Sequence, residues 1–240
     1  MVSGGAMGHR RSQSKVADPF ANVKGNSKKF RVIHGTASPD GRYAIGLGLA
    51  RKEINWDDFV NKDDPENGPT YYAENEEDVR NYVVDLAQQT ILGETGLAWD
   101  GTRRRYNHPE CIVKWSPDSA VFVQLLNSKW TSYGCVSGKI GSGPKFLGTV
   151  DLIKALSQKA YAFAKQPFDA KKGGFLTFSI NKVGNDGVID LEAAEYCAAG
   201  DCKGDTKFAV GERLRLRETP KGLRVDILKA RRLASESSEE

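Results

Sequence analysis

A Ser-Pro-Asp turn running straight into an apolar stretch occurs twice in this chain. The copies are Ser38-Pro39-Asp40-Gly41-Arg42-Tyr43-Ala44-Ile45-Gly46 and, in reduced form, Trp115-Ser116-Pro117-Asp118-Ser119-Ala120-Val121-Phe122-Val123. In each, proline's fixed φ starts a tight turn, the aspartate side chain can cap it, and the residues that follow suit a sheet. Two turn-then-strand units point to antiparallel hairpins and report fold rather than chemistry.

Further hairpin patterns extend this reading. Residues 29–33 and 43–49 flank the first turn as strands, with Gly46 and Gly48 baring one face of the second. Residues 81–86 fit both a helical and a strand period, but Tyr82, Val83, Val84 and the nearby Ile91 and Leu92 favour a hairpin turning at 87–89. Residues 110–115 and 120–125 flank the second turn, and 131–136 supply a third arm before Gly141 and Pro144 break the pattern. The next element is a helix over about 150–165. Thr149 can cap it with Asp151 in its first turn, Leu152, Ile153, Leu156, Ala160 and Phe163 form one apolar face, and Pro167 stops it. Strands follow at 175–180 and 187–191. A strictly alternating pair at 213–217 and 223–227 closes on a turn at 219–222, one face apolar and the other charged. The expected class is mainly β, with α+β as the variant: antiparallel hairpins in an open or irregular array with one or two packed helices.

Residues 1–27 are rich in Gly, Ser and charge and read as a disordered leader without the apolar run of a secretory signal. Residues 28–234 read as a single β-rich domain, and 235–240 as a short acidic, disordered tail. No stretch reaches the ~18 apolar residues of a membrane span, so a soluble protein is expected, with an exported form conceivable if native residues precede Met1. The net charge of +4 comes from 35 basic and 31 acidic residues spread along the chain and carries no specific nucleic-acid signal; Arg103-Arg104-Arg105 reads as a solvated loop. Cys111, Cys135, Cys197 and Cys202 allow free thiols or two disulfides. The four residues between Cys197 and Cys202, with no neighbouring His, fit zinc poorly.

Around the two Ser-Pro-Asp turns the chain resembles the blades of WD40-like and TolB-like β-propellers, in which a phrase of the type W-S-P-D-G-x-x-hydrophobic recurs once per blade. The strand ending Val84-Asp85-Leu86, followed by Ile91-Leu92-Gly93, is similar to the passage that precedes the next such turn. Ser38 and Ser116 are about two blade lengths of ~40 residues apart, and the resemblance covers about half the chain. It implies an interaction scaffold more often than an active site, although propeller-like folds also host calcium-dependent hydrolases and lactonases.

Three sets of residues carry candidate chemistry. Asn185, Asp186, Asp190 and Glu192 lie in Gly184-Asn185-Asp186-Gly187-Val188-Ile189-Asp190-Leu191-Glu192, which is similar to the second half of a calcium loop. Lys182, Gly184 and Ala193 stand where oxygen ligands belong, and the same residues read equally as a hairpin turn. His34 and His108 precede corresponding hairpins and are the candidate general bases, against ordinary hydrogen-bonded loop histidines. Trp56, Tyr71, Tyr72 and Trp99 sit in polar surroundings and are the candidate surface aromatics for a ligand groove. No nucleophile elbow, zinc-protease motif or phosphate-binding glycine loop is present. The leading expectation is a non-catalytic binding or scaffold protein whose partner is an unidentified protein or small molecule. The alternative is a metal-dependent hydrolase, with calcium as the cofactor, acting on an ester or lactone.

Overall fold

The computed structural model describes residues 29–50, 79–99, 110–128, 131–164, 175–196 and 206–233. They form three antiparallel four-stranded sheets and one helix. In the first sheet β1 (Phe30–Val32), β2 (Tyr43–Leu49), β3 (Val79–Asp85) and β4 (Thr90–Glu94) lie in chain order. The second holds β5 (Glu110–Trp115), β6 (Val121–Asn127), β7 (Ser132–Ile140) and β8 (Phe146–Asp151), again in order. Helix α1 (Ile153–Ala164) follows, and then the third sheet, β9 (Phe175–Val183), β10 (Val188–Tyr196), β11 (Thr206–Thr219) and β12 (Gly222–Arg232). The mainly-β, hairpin-built class is therefore the observed one, no sheet closes on itself, and the ambiguous stretch at 81–93 is a hairpin.

The sheets stack face to face with the second in the middle, which is why β6 is buried on both sides. Val121, Val123 and Leu125 join α1 and the third sheet in one core, where Leu152, Leu156, Ala160, Ile189, Val210 and Leu214 are each at most 1 % exposed. Phe122, on the opposite face of β6, packs with Trp115 and Ile140 against Ile33, Tyr43, Ile45 and Val83 of the first sheet. At roughly 1.5–3 kcal/mol per fully buried large apolar side chain, these two seams are the main source of stability.

Two local expectations change. Thr149 does not cap α1: it lies inside β8 and its hydroxyl donates to the Thr95 carbonyl oxygen at 2.9 Å, tying the second sheet to the first. Asp151 is the cap, its Oδ1 accepting the Ile153 N–H at 2.9 Å, so the helix starts after the aspartate. Strand β8 itself was not expected, because the run from Gly141 to Pro144 reads as a break rather than as a strand entry.

Candidate functional site

Each sheet begins with a hairpin whose turn has one chemistry. In the first, Ser38 Oγ donates to Asp40 Oδ1 at 2.6 Å and accepts the Tyr43 N–H at 2.9 Å, while Asp40 Oδ1 also takes the Arg42 N–H at 3.0 Å. In the second, Ser116 Oγ donates to Asp118 Oδ1 at 2.6 Å and accepts the Val121 N–H at 2.9 Å, and Asp118 Oδ1 takes the Ala120 N–H at 3.2 Å. The third copy is Gly184-Asn185-Asp186-Gly187, where Asp186 Oδ1 accepts the Val188 N–H at 3.1 Å. The fourth residue of each turn is left-handed: Gly41 at φ 70°, Ser119 at 61° and Gly187 at 74°.

The three turns are wired to one another. The Asp40 N–H donates to Ser119 Oγ at 3.2 Å, and the Asp118 N–H donates to Asn185 Oδ1 at 3.0 Å. Beneath the first link, Trp115 Nε1–H donates to the buried carbonyl of Thr36 at 2.8 Å and its ring stacks on Tyr43 at 6.3 Å. The row has a direction. Its first turn carries Pro39 and Gly41 where the later turns carry the accepting Asn185 and Ser119, so it offers no side-chain acceptor at those positions.

The loop read as a calcium candidate is this third turn. Asn185 Oδ1 serves the neighbouring turn and Asp186 Oδ1 caps its own hairpin. Asp190 lies within β10, held in a two-pronged pair by Arg213 Nε at 2.7 Å and an Arg213 terminal nitrogen at 3.0 Å; Glu192 stands two residues further along that strand. Among the described residues no group of three or more His, Cys, Asp or Glu side chains is arranged to hold a metal ion. His34 is exposed on the turn after β1. Trp99 is half-buried against the seam between the first two sheets, its N–H donating to Asn81 Oδ1 at 3.0 Å and its carbonyl accepting from Asn81 Nδ2 at 2.9 Å. His108, Trp56, Tyr71, Tyr72, Cys197, Cys202 and Arg103–Arg105 lie outside the described residues. Cys111 and Cys135 are free thiols, both pushed up to about 12 by burial.

No protein-family model, curated protein or solved structure matches this chain.

What the register of the third sheet assembles was not visible in the sequence. Strict alternation puts Leu214 and Leu216 in the core and Arg213, Arg215 and Arg217 on the outer face. Pairing then sets Lys182 and Lys229 in one cross-strand row with Asp190 and Arg213, and Arg224 beside Arg217. Gly211 lies between Glu192 and Arg231, and its missing side chain floors a shallow depression of about 300 Å³ also bordered by Asp190, Arg213 and Lys229. Arg213 holds Asp190 below the ordinary carboxylate range by its hydrogen bonds, with Lys182 and Arg231 adding to the effect. Asp226 is shared by Arg217 at 3.0 Å and Arg224 at 3.2 Å.

The opposite face of β11 holds an unusual group. Glu212 lies in the core-facing row between Val210 and Leu214, 2 % exposed, with neither carboxylate oxygen hydrogen-bonded. Burial raises its pKa to about 8, and Lys159 on α1 only partly counters this. Sequence reading had no signal for it beyond one acidic residue on the apolar side of an alternating strand.

Proposed function

We propose that this protein is a non-catalytic binding scaffold, an open array of three blade-like sheets of the WD40-like or TolB-like type. The observation that carries the reading is the row of turns in which Asp40 bonds to Ser119 and Asp118 to Asn185. It fixes one rim of all three sheets, so surfaces drawn from sequence-distant strands keep a constant relation to one another, as a recognition surface requires. Each sheet is a four-stranded antiparallel meander opening on the same kind of turn, which supports the blade comparison for the third sheet as well as the first two.

The experiment that tests this against the hydrolase alternative measures turnover of an ester and lactone panel and thermal unfolding, each with calcium, with zinc and with EDTA. The scaffold reading expects no saturable turnover and no shift in Tm between chelated and calcium-loaded protein. Saturable turnover that disappears in an Asp186→Ala, Asp190→Ala double variant would overturn it.

A further inference from the structure

The outer strand rows of the third sheet carry Arg213, Arg215, Arg217 and Arg224, with Arg231 and two lysines, Lys182 and Lys229. Against these seven cations stand three carboxylates in the same rows, Asp190, Glu192 and Asp226, and a fourth, Asp186, in the adjoining turn 3.9 Å from Arg215. The excess of three is most of the formal net charge of +4 carried by the entire chain, so the imbalance is concentrated on this face. Two of these carboxylates are also outnumbered. Asp190 faces Arg213, Lys182 and Arg231, and Asp226 is divided between two arginines. Internal pairing therefore does not neutralise the face, and Arg213, Arg217 and Arg224 keep more than half of their side-chain surface in solvent.

The geometry points to a phosphodiester backbone, that is a nucleic acid bound without sequence readout, as the partner of this face. The inference rests on the binding-scaffold reading and names its ligand. Cations two residues apart on a strand repeat at roughly 6.6–6.8 Å and neighbouring strands at about 4.8 Å. A nucleic-acid strand carries one charge per ~3.4 Å of axis, so each step along β11 spans about two phosphates. Five of the seven cations are arginines, whose planar fork suits phosphate oxygens better than a lysine point charge does. The depression at Gly211 is walled by the Arg231 and Leu233 side chains, which sets a guanidinium at its edge for a phosphate. The cross-strand rows that carry the cations, from Arg217–Arg224 to Glu192–Arg231, hold no aromatic residue, and the Phe175–Tyr196 pair falls two rows beyond them, so contact at the cations is with the backbone rather than with stacked bases, which predicts indifference to sequence.

The test is fluorescence anisotropy of the full chain with labelled mixed-sequence oligonucleotides, single-stranded and duplex, between 50 and 200 mM salt, with polyglutamate of matched charge as competitor. The expected result is binding of at least one form with a log–log salt slope of about −3, corresponding to three or four phosphates. Lys229→Glu with Arg231→Glu should weaken it at least tenfold and reduce the slope by about 2. Lys114→Glu with Lys154→Glu, an equal charge change on exposed residues of other surfaces, should leave it within twofold. Should the first pair fail to fold, Lys229→Gln with Arg231→Gln is measured instead and should weaken binding at least threefold. Equal loss in both pairs, polyglutamate competing charge for charge, or no binding at 50 mM salt overturns the inference. Those outcomes leave the scaffold reading standing unless ester or lactone turnover is also found.

Discussion

The backbone N–H of Asp118 donates to the side-chain oxygen of Asn185 across a sequence gap of 67 residues, at 3.0 Å. It joins the second hairpin turn to the third at an exposed rim, where water can replace a lost acceptor. Asn185→Ala should therefore cost only about 0.5–1 kcal/mol, the lower half of what a hydrogen bond contributes. Urea unfolding of both proteins checks this, with the slope against denaturant unchanged.

Ser119 is the equivalent acceptor for the first turn, but it is buried and holds a left-handed backbone at φ 61°. Two effects of similar size separate its variants. Ser119→Ala loses the bond from the Asp40 N–H and keeps the backbone strain, and should cost about 1–3 kcal/mol. Ser119→Gly loses the same bond but releases roughly 1–2 kcal/mol of strain and should be close to neutral. Equal losses would show that the backbone conformation there is unstrained.

Trp115 joins the first two sheets by a buried bond to the Thr36 carbonyl oxygen at 2.8 Å. Trp115→Phe keeps much of the ring contact with Tyr43 and Phe122 but orphans that carbonyl, for an expected loss of about 2–3 kcal/mol. Trp115→Phe and a Phe122→Leu variant should be non-additive in a double-mutant cycle, since their rings lie 5.0 Å apart.

Glu212 makes stability depend on pH. Its folded-state pKa of about 8 stands above the ordinary 4.5, so between those values the folded chain binds the extra proton. Stability from this group is fully present below pH 4.5, falls as pH rises, and levels off above about 8. With Glu212 2 % exposed and its carboxylate unpartnered, the full penalty is on the order of 5 kcal/mol. Glu212→Gln should gain stability over the parent at pH 9 and little at pH 5. Parallel Tm–pH curves for the two proteins would contradict this.

Much of the architecture is legible in the sequence because its signals are local. Proline and aspartate mark the first two turns, alternation marks β11 and β12, and the apolar face of Leu152, Leu156 and Ala160 marks α1. The third turn reads as a hairpin from Asn-Asp-Gly between two strand patterns, and the structure bears that out, but its kinship to the first two is hidden because Gly184 and Asn185 replace the serine and proline while Asp186 keeps the capping role. Strand β8 hides behind Gly143 and Pro144. Alternation already states the charged face of the β11–β12 hairpin, but the row that joins Lys182, Arg213 and Lys229 and the burial of Glu212 depend on register, which no linear pattern states.

The account rests on three sheets locked at one rim, and amide hydrogen exchange at that rim tests it most directly. The Asp40 and Asp118 amides should exchange more slowly than the Asp186 amide, which has no acceptor among the described residues. Asn185→Ala should speed Asp118 alone, leaving Asp40 unchanged. Equal exchange at all three positions in the parent, or no change at Asp118 in the variant, would contradict the account.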